Sequence, residues 1–126
     1  MQIIIVDTNF LMIPYKFKVD IFSEFKRICN FNYQLVIFEQ TINEINNIIK
    51  KQSGKDKRAA QFALKLIQLK NIGIIKSEQE NVDSLILKNT NKDSVVATND
   101  IKLKKELLKK GASVIILRQS KYLKLI

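Results

Sequence analysis

The chain has 126 residues, enough for one domain with a full hydrophobic core, and a formal net charge of +10. Its single cysteine, Cys29, excludes a disulfide framework and argues against a cysteine-ligated zinc site. The absence of histidine excludes histidine-based nucleophile systems. Any catalysis must therefore use carboxylates, lysines, hydroxyls or a metal ion held by oxygen atoms.

The first half of the chain opens with a run of β-branched residues, Ile3 to Val6, which predicts a strand buried on both faces. The polar residues Asp7, Thr8 and Asn9 follow it directly. Further along, apolar spacing and cap residues predict a helix over 20–29, a strand over 34–38, a helix with a capping box at 41–44, a basic loop over 50–57, a helix over 56–71 and a strand over 74–75.

The second half repeats the opening pattern, because the predicted buried strand Ser94 to Ala97 is followed by Thr98, Asn99 and Asp100. A helix over 81–90 precedes this strand, a helix to 110 follows it, and a last strand covers 113–117. Strands that alternate with helices predict right-handed βαβ units. We therefore expect one α/β domain over residues 1–126, with three α/β/α layers and a mostly parallel sheet of four to five strands.

Four acidic residues are candidates for a shared site. Asp7 and Asp100 each follow a buried strand, whereas Glu44 and Asp83 lie in the first turns of predicted helices. In a parallel sheet, the carboxyl ends of the strands and the N-termini of the following helices meet at one edge. Carboxylates gathered there would repel one another, and an all-oxygen donor set selects Mg²⁺ or Mn²⁺.

Each acid also has a purely structural explanation. Glu44 completes the spacing of a capping box with Thr41, Asp83 complements a helix dipole, Asp100 is a suitable N-cap, and Asp7 suits a turn after a strand. These explanations account for any one acid more easily than for the convergence of all four.

The motifs V-D-T-N-F-L, T-I-N-E-I, V-D-S-L-I-L and V-V-A-T-N-D occur in this order along nearly the whole chain. Together they resemble the PIN-domain nucleases, in particular small archaeal PIN proteins related to ribosome-biogenesis nucleases and, more distantly, the VapC-type toxins. The resemblance implies RNA cleavage at a divalent-metal site formed by Asp7, Glu44, Asp83 and Asp100. It also implies that Thr8, Asn9, Thr98 and Asn99 support the acids. Asp93 is a rival for the place of Asp83.

The charge of +10 indicates a polyanionic partner, and a lysine-rich solvated surface explains it equally well. Under the first interpretation RNA is the partner, and Lys55, Lys57, Arg58 and Lys102 contact its backbone. The role remains open between rRNA processing, a toxin ribonuclease with an antitoxin, and a non-catalytic RNA-binding scaffold. The corresponding protein partner is an antitoxin or a ribosome-assembly factor.

We also expect a homodimer, with Phe17, Phe22 and Phe25 as candidates for the contact. No apolar run is long enough to span a bilayer and no signal peptide is recognisable, so we expect a cytoplasmic protein without membrane contact.

Overall fold

The computed structural model describes residues 1–126 and contains one six-stranded sheet. The strands are β1 (Gln2–Val6), β2 (Tyr33–Phe38), β3 (Gly73–Ile75), β4 (Val95–Ala97), β5 (Ser113–Arg118) and β6 (Tyr122–Leu125). Their order across the sheet is β3-β2-β1-β4-β5-β6. All neighbours pair in parallel except β5 and β6, which are antiparallel. The predicted α/β architecture is confirmed, with one strand more than expected.

The helices cover both faces of this sheet. They are α1 (Ile13–Phe17), α2 (Ile21–Ile28), α3 (Glu39–Lys51), α4 (Gly54–Leu69), α5 (Val82–Lys88) and α6 (Ile101–Lys109), and a 3₁₀ turn spans Thr8–Met12. The core on one face takes side chains from the 3₁₀ turn and α1 to α4, and the core on the other face takes them from α5 and α6.

Strand β1 lies inside the sheet, between β2 and β4, and both of its faces are buried from Ile4 to Val6. Ile4 and Val6 join the core beneath α1 to α4, whereas Ile5 joins the core beneath α5 and α6. Val6 pairs with Ala97 of β4. The residues that follow these two strands, Asp7 and Thr98, therefore leave the sheet side by side.

Two details of the helical layer differ from the sequence predictions. The predicted capping box at 41–44 is wrong, because α3 begins at Glu39 and Phe38 is its N-cap. Thr41 is instead fully buried within the helix. The predicted basic loop over 50–57 is also wrong, since α3 runs to Lys51 and α4 begins at Gly54. Only two residues connect these helices.

The additional strand β6 forms one edge of the sheet. The backbone N–H of Leu123 donates to Glu24 Oε1 at 2.9 Å, and Arg27 Nη2 donates to the Leu123 carbonyl at 2.9 Å. These two side chains of α2 occupy edge groups that would otherwise be free to pair with another chain. None of the helices combines the length and apolarity that a bilayer crossing requires.

Candidate metal-binding and active site

Asp7 is the most deeply buried of the candidate acids, with 3% of its surface exposed. Its Oδ1 accepts from the Thr8 backbone N–H at 2.8 Å, and its Oδ2 accepts from Thr98 Oγ1 at 2.8 Å. Burial raises the pKa of Asp7 to about 6, and the negative charges of Asp83 and Glu44 add to the rise although the two hydrogen bonds oppose it. The charged form of Asp7 is therefore destabilised in the folded chain.

Glu44 connects three segments of the chain at this edge of the sheet. Its Oε1 accepts from Thr8 Oγ1 at 2.6 Å, and its Oε2 accepts from the Val82 backbone N–H at 3.0 Å. Thr8 thus links Asp7 to Glu44, since its N–H and its hydroxyl donate to one acid each. Glu44 also holds the first residue of α5 against α3, which fixes where Asp83 lies.

Asp83 and Asp100 line a cleft between α5 and α6. Asp100 is the N-cap of α6, and its Oδ1 accepts from the Leu103 N–H at 2.9 Å. The pKa of Asp83 is raised because of partial burial and the charges of Asp100, Glu44 and Glu106, and Lys102 partly offsets the rise. The four candidate acids therefore lie within electrostatic reach of one another.

None of these acids belongs to an ion pair. The structure contains three ion pairs, Lys16 with Asp56, Arg27 with Glu24 and Lys88 with Glu80, and none of them involves the four candidates. A buried carboxylate is ordinarily paired with a positive group or neutralised. None of the 22 lysines and arginines of the chain forms an ion pair with these acids, and Lys102 only partly offsets the rise in the pKa of Asp83.

The donor set at this edge suits a hard divalent cation, because it consists of carboxylate and hydroxyl oxygens only. As positioned, no three of the acids form a group that could hold one ion. Asp83 accepts no hydrogen bond, and Asp100 uses only Oδ1 as the helix cap. Only the Asp83 carboxylate is therefore unrestrained by hydrogen bonds, whereas Asp7, Glu44 and Asp100 are held by theirs.

Comparison with known proteins identifies the fold. The family model described as a PIN like domain matches residues 4–120. The chain belongs to the PIN-like domain family. It is 31% identical over 121 residues to ribonuclease VapC4 of Methanocaldococcus jannaschii, covering 94% of this chain and 92% of the relative. It is 30% identical over 118 residues to ribonuclease VapC9 of Archaeoglobus fulgidus, covering 93% of this chain and 84% of the relative.

A solved structure described as the PIN domain endonuclease Utp24 is also similar. It superposes with a TM-score of 0.77 at 18% sequence identity, covering 98% of this chain and 90% of that chain. The likeness confirms a PIN-like fold, in agreement with the resemblance drawn from the sequence motifs.

Asp83 and Asp93, the two candidates for one place in the site, lie at opposite edges of the sheet. Asp93 precedes β4 and lies beside Gln2 at the start of β1, where its carbonyl accepts from Gln2 Nε2 at 3.3 Å. This is the amino edge of the sheet, opposite to the edge that holds Asp7. Asp83, and not Asp93, therefore lies with the other acids.

The predicted supporting residues divide into two groups. Thr8 and Thr98 are buried and bonded to the acids, and Thr98 Oγ1 also accepts from the Asp100 N–H at 3.1 Å. Asn9 is exposed on the 3₁₀ turn, and its side chain makes no hydrogen bond to the acids. Asn99 was expected to support the acids, but its Oδ1 accepts from the Leu117 N–H at 2.8 Å and so fixes the end of β5.

The predicted basic residues lie at two places. Lys55, Lys57 and Arg58 are exposed in the first turns of α4, and Arg58 Nε donates to Tyr15 Oη at 3.0 Å. Lys102 is exposed in the first turn of α6 and lines the acidic cleft.

Sequence reasoning missed one acid of this cleft, Glu106, which lies in the second turn of α6. Once Asp100 is assigned as the helix cap, the helical period places position 106 one turn beyond Lys102 on the same side. That spacing is the signal that could have found it.

Proposed function

We propose that residues 1–126 form a single PIN-like domain that hydrolyses RNA phosphodiester bonds in a divalent-metal-dependent reaction. One observation carries this proposal: Asp7 is buried beside other carboxylates with no lysine or arginine to compensate its charge. The curated relatives named as ribonucleases support the choice of RNA as the substrate. Their identity of 30% or more extends over at least 93% of this chain.

The residues of the site take distinct roles in this proposal. Asp7, Asp83 and Asp100 would hold Mg²⁺ or Mn²⁺, and Glu44 would contribute from α3. A divalent ion held there would lower the pKa of water and polarise the scissile phosphodiester. Thr8 and Thr98 keep the Asp7 carboxylate oriented by donating to its two oxygens. Lys102, at the cleft, is placed to contact a phosphate.

The experiment is an RNA cleavage assay with Mn²⁺, with Mg²⁺ and with EDTA, on structured and single-stranded substrates. Asp83→Asn removes a charge from the cleft, and Asp93→Asn removes the same charge from the opposite edge of the sheet. We expect Asp83→Asn to lose cleavage by orders of magnitude and Asp93→Asn to retain it. Cleavage that persists unchanged in EDTA would show that the metal-dependent reaction is wrong.

Among the biological roles, we favour that of a VapC-type toxin ribonuclease. Two relatives at 30% identity or more carry the VapC name. The likeness to the PIN domain endonuclease Utp24, at 18% identity, supports the fold alone. The cytoplasm is the expected site of this activity. A toxin requires an antitoxin, so the gene beside this one should encode a small protein that binds the chain and inhibits cleavage. Binding to ribosome-assembly factors instead, with no such inhibitor, would favour rRNA processing.

The non-catalytic scaffold interpretation makes a different prediction. A scaffold that binds RNA without cutting it gains nothing from a buried carboxylate at Asp7 whose negative charge is not compensated, because burial destabilises the charged form. RNA that binds to the wild-type chain and stays intact with Mn²⁺ would favour the scaffold over the nuclease.

A homodimer also remains part of the proposal. Phe17 is 44% exposed and Phe22 is partly exposed, so both remain candidates for the contact. Phe25 is fully buried in the core and is excluded from it.

A further inference from the structure

A second depression, which we call the α6 groove, lies on the other side of the first turn of α6 from the acidic cleft. Asn99, Ile101 and Lys104 line it from the α6 side, and Ile116, Leu117, Arg118 and Ile126 line it from the sheet. Alternate residues at the start of α6 thus face the two depressions, because Asp100 and Lys102 line the cleft whereas Asn99 and Ile101 line the groove. The groove and the cleft are separated by one turn of helix.

The charge of the α6 groove is opposite to that of the cleft. Lys104 and Arg118 form no ion pair, and no aspartate or glutamate side chain lines the groove. Strand β6 extends the same surface, because Lys124 pairs with Ile116 and Tyr122 pairs with Arg118, and directly opposite residues in antiparallel strands point to the same face. Uncompensated cations on a continuous surface form a footprint for a polyanion.

The α6 groove also exposes apolar surface between its cations. Ile101, which lines the groove, is 66% exposed. Tyr122, which lies on β6 next to Arg118 and outside the groove lining, is 37% exposed. Surfaces that bind single-stranded nucleic acid combine cations, which contact the backbone, with apolar or aromatic side chains, which contact the bases.

We propose that single-stranded RNA leaving the acidic cleft crosses the first turn of α6 and binds in the α6 groove, with its phosphates on Lys104 and Arg118. This inference rests on the proposed ribonuclease function, because the cleft supplies the site of cleavage. The α6 groove would be a second binding site, which increases the affinity for RNA long enough to extend beyond the cleft. Short RNA that fills only the cleft does not reach it.

The experiment compares RNA oligonucleotides that differ in length. Binding of a fluorescein-labelled trinucleotide and of a labelled oligonucleotide of about 15 nucleotides is measured by anisotropy in EDTA, where metal-dependent cleavage is absent. The double variant Lys104→Ala/Arg118→Ala removes two charges from the groove. The matched control, Lys26→Ala/Lys92→Ala, removes two exposed charges elsewhere and gives the same net charge. Melting curves verify that each variant is folded.

We expect the groove variant to bind the long oligonucleotide more weakly than the control does, and the trinucleotide equally well. The magnitude of the slope of log affinity against log salt should fall by about 1.4 for the long oligonucleotide, because about 0.7 is lost for each single-strand phosphate contact. The charge-preserving variant Lys104→Arg/Arg118→Lys should keep the wild-type slope.

Equal slopes for the groove variant and the control would overturn the inference while leaving RNA cleavage by the cleft untouched. Polyglutamate that binds to the groove and is lost in the groove variant, with RNA binding unchanged, would also overturn it and assign the surface to an acidic protein. Failure of the wild-type chain to bind or cleave any RNA would instead reject the proposed function itself.

Discussion

Replacement of Asp7 by asparagine is expected to stabilise the metal-free protein at neutral pH. The pKa of Asp7 is about 6 in the folded chain against 3.8 ordinarily, so the folded state binds the proton more tightly than the unfolded state does. A raised pKa of an acid means that stability falls as pH rises from about 4 to about 6 and stays reduced above that range. The difference of roughly two pKa units corresponds to about 3 kcal/mol at neutral pH.

Asparagine keeps both hydrogen-bonded neighbours of this position. Its oxygen accepts from the Thr8 N–H, and its amide donates to Thr98 Oγ1, which lies 2.8 Å from the aspartate oxygen and has a second lone pair besides the one that accepts from the Asp100 N–H. The buried hydroxyl hydrogen of Thr98 then loses its acceptor, which offsets part of the gain. The charge penalty is therefore removed with little loss of packing. For a chain of this length, 3 kcal/mol raises the melting temperature by about 10 °C, which is an upper limit for the gain.

The assay is thermal unfolding followed by circular dichroism in EDTA, from pH 4 to pH 8. Asp7→Asn should melt above the wild type at pH 7.5, and the difference should disappear near pH 4. Added Mn²⁺ should raise the melting temperature of the wild type more than that of the variant, since a ligand stabilises the state that binds it. Asp93→Asn, an exposed acid at the opposite edge, is the control. A variant that melts below the wild type at pH 7.5 would refute the reasoning and make Asp7 a structural residue.

The remaining predictions concern Glu44, the lysines at the start of α4 and the oligomeric state. Glu44→Ala should lower the free energy of unfolding by about 1–3 kcal/mol, measured by urea denaturation, because it leaves Thr8 and the Val82 N–H without an acceptor. An unchanged midpoint would show that this bridge does not contribute to stability. Lys55→Ala/Lys57→Ala should reduce the salt slope of single-stranded RNA binding by about 1.4, and an unchanged slope would leave both lysines as solvated surface residues. Sedimentation at high protein concentration should show a dimer; monomer alone would reject the homodimer.

The parts of the fold that the sequence predicted are those fixed by local pattern. The β-branched run before Asp7 forms the predicted strand, which is buried from Ile4 to Val6, although Ile3 is 49% exposed. Asp100, which was considered as a possible N-cap, is the N-cap of α6. The short strand β6 was not predicted, because its sequence Y-L-K-L gives only four residues of alternation after a basic turn. Its place depends on pairing with β5 and on the side chains of Glu24 and Arg27, which are distant in sequence.

The site, like the fold, was predicted only where local sequence pattern determines it. The sequence indicated which acids follow strands or begin helices, and topology alone then placed Asp7 next to Thr98. It could not distinguish Asp83 from Asp93, since the choice depends on which edge of the sheet each acid reaches. The capping box failed because α3 begins at Glu39, two residues before Thr41, with Phe38 as its N-cap. Glu44 then became free to bond to Thr8 and Val82, which no local pattern reveals.

The central claim, that the acids at the carboxyl edge of the sheet bind the catalytic divalent ion, is tested most directly by crystallography with Mn²⁺. Crystals soaked in Mn²⁺ should show an anomalous peak within about 2.0–2.6 Å of oxygen atoms of Asp7, Asp83 and Asp100. The Asp83 side chain should have turned toward Asp7. A fully occupied peak elsewhere, or no peak at this edge in crystals of a protein that still cleaves RNA with Mn²⁺, would contradict the account.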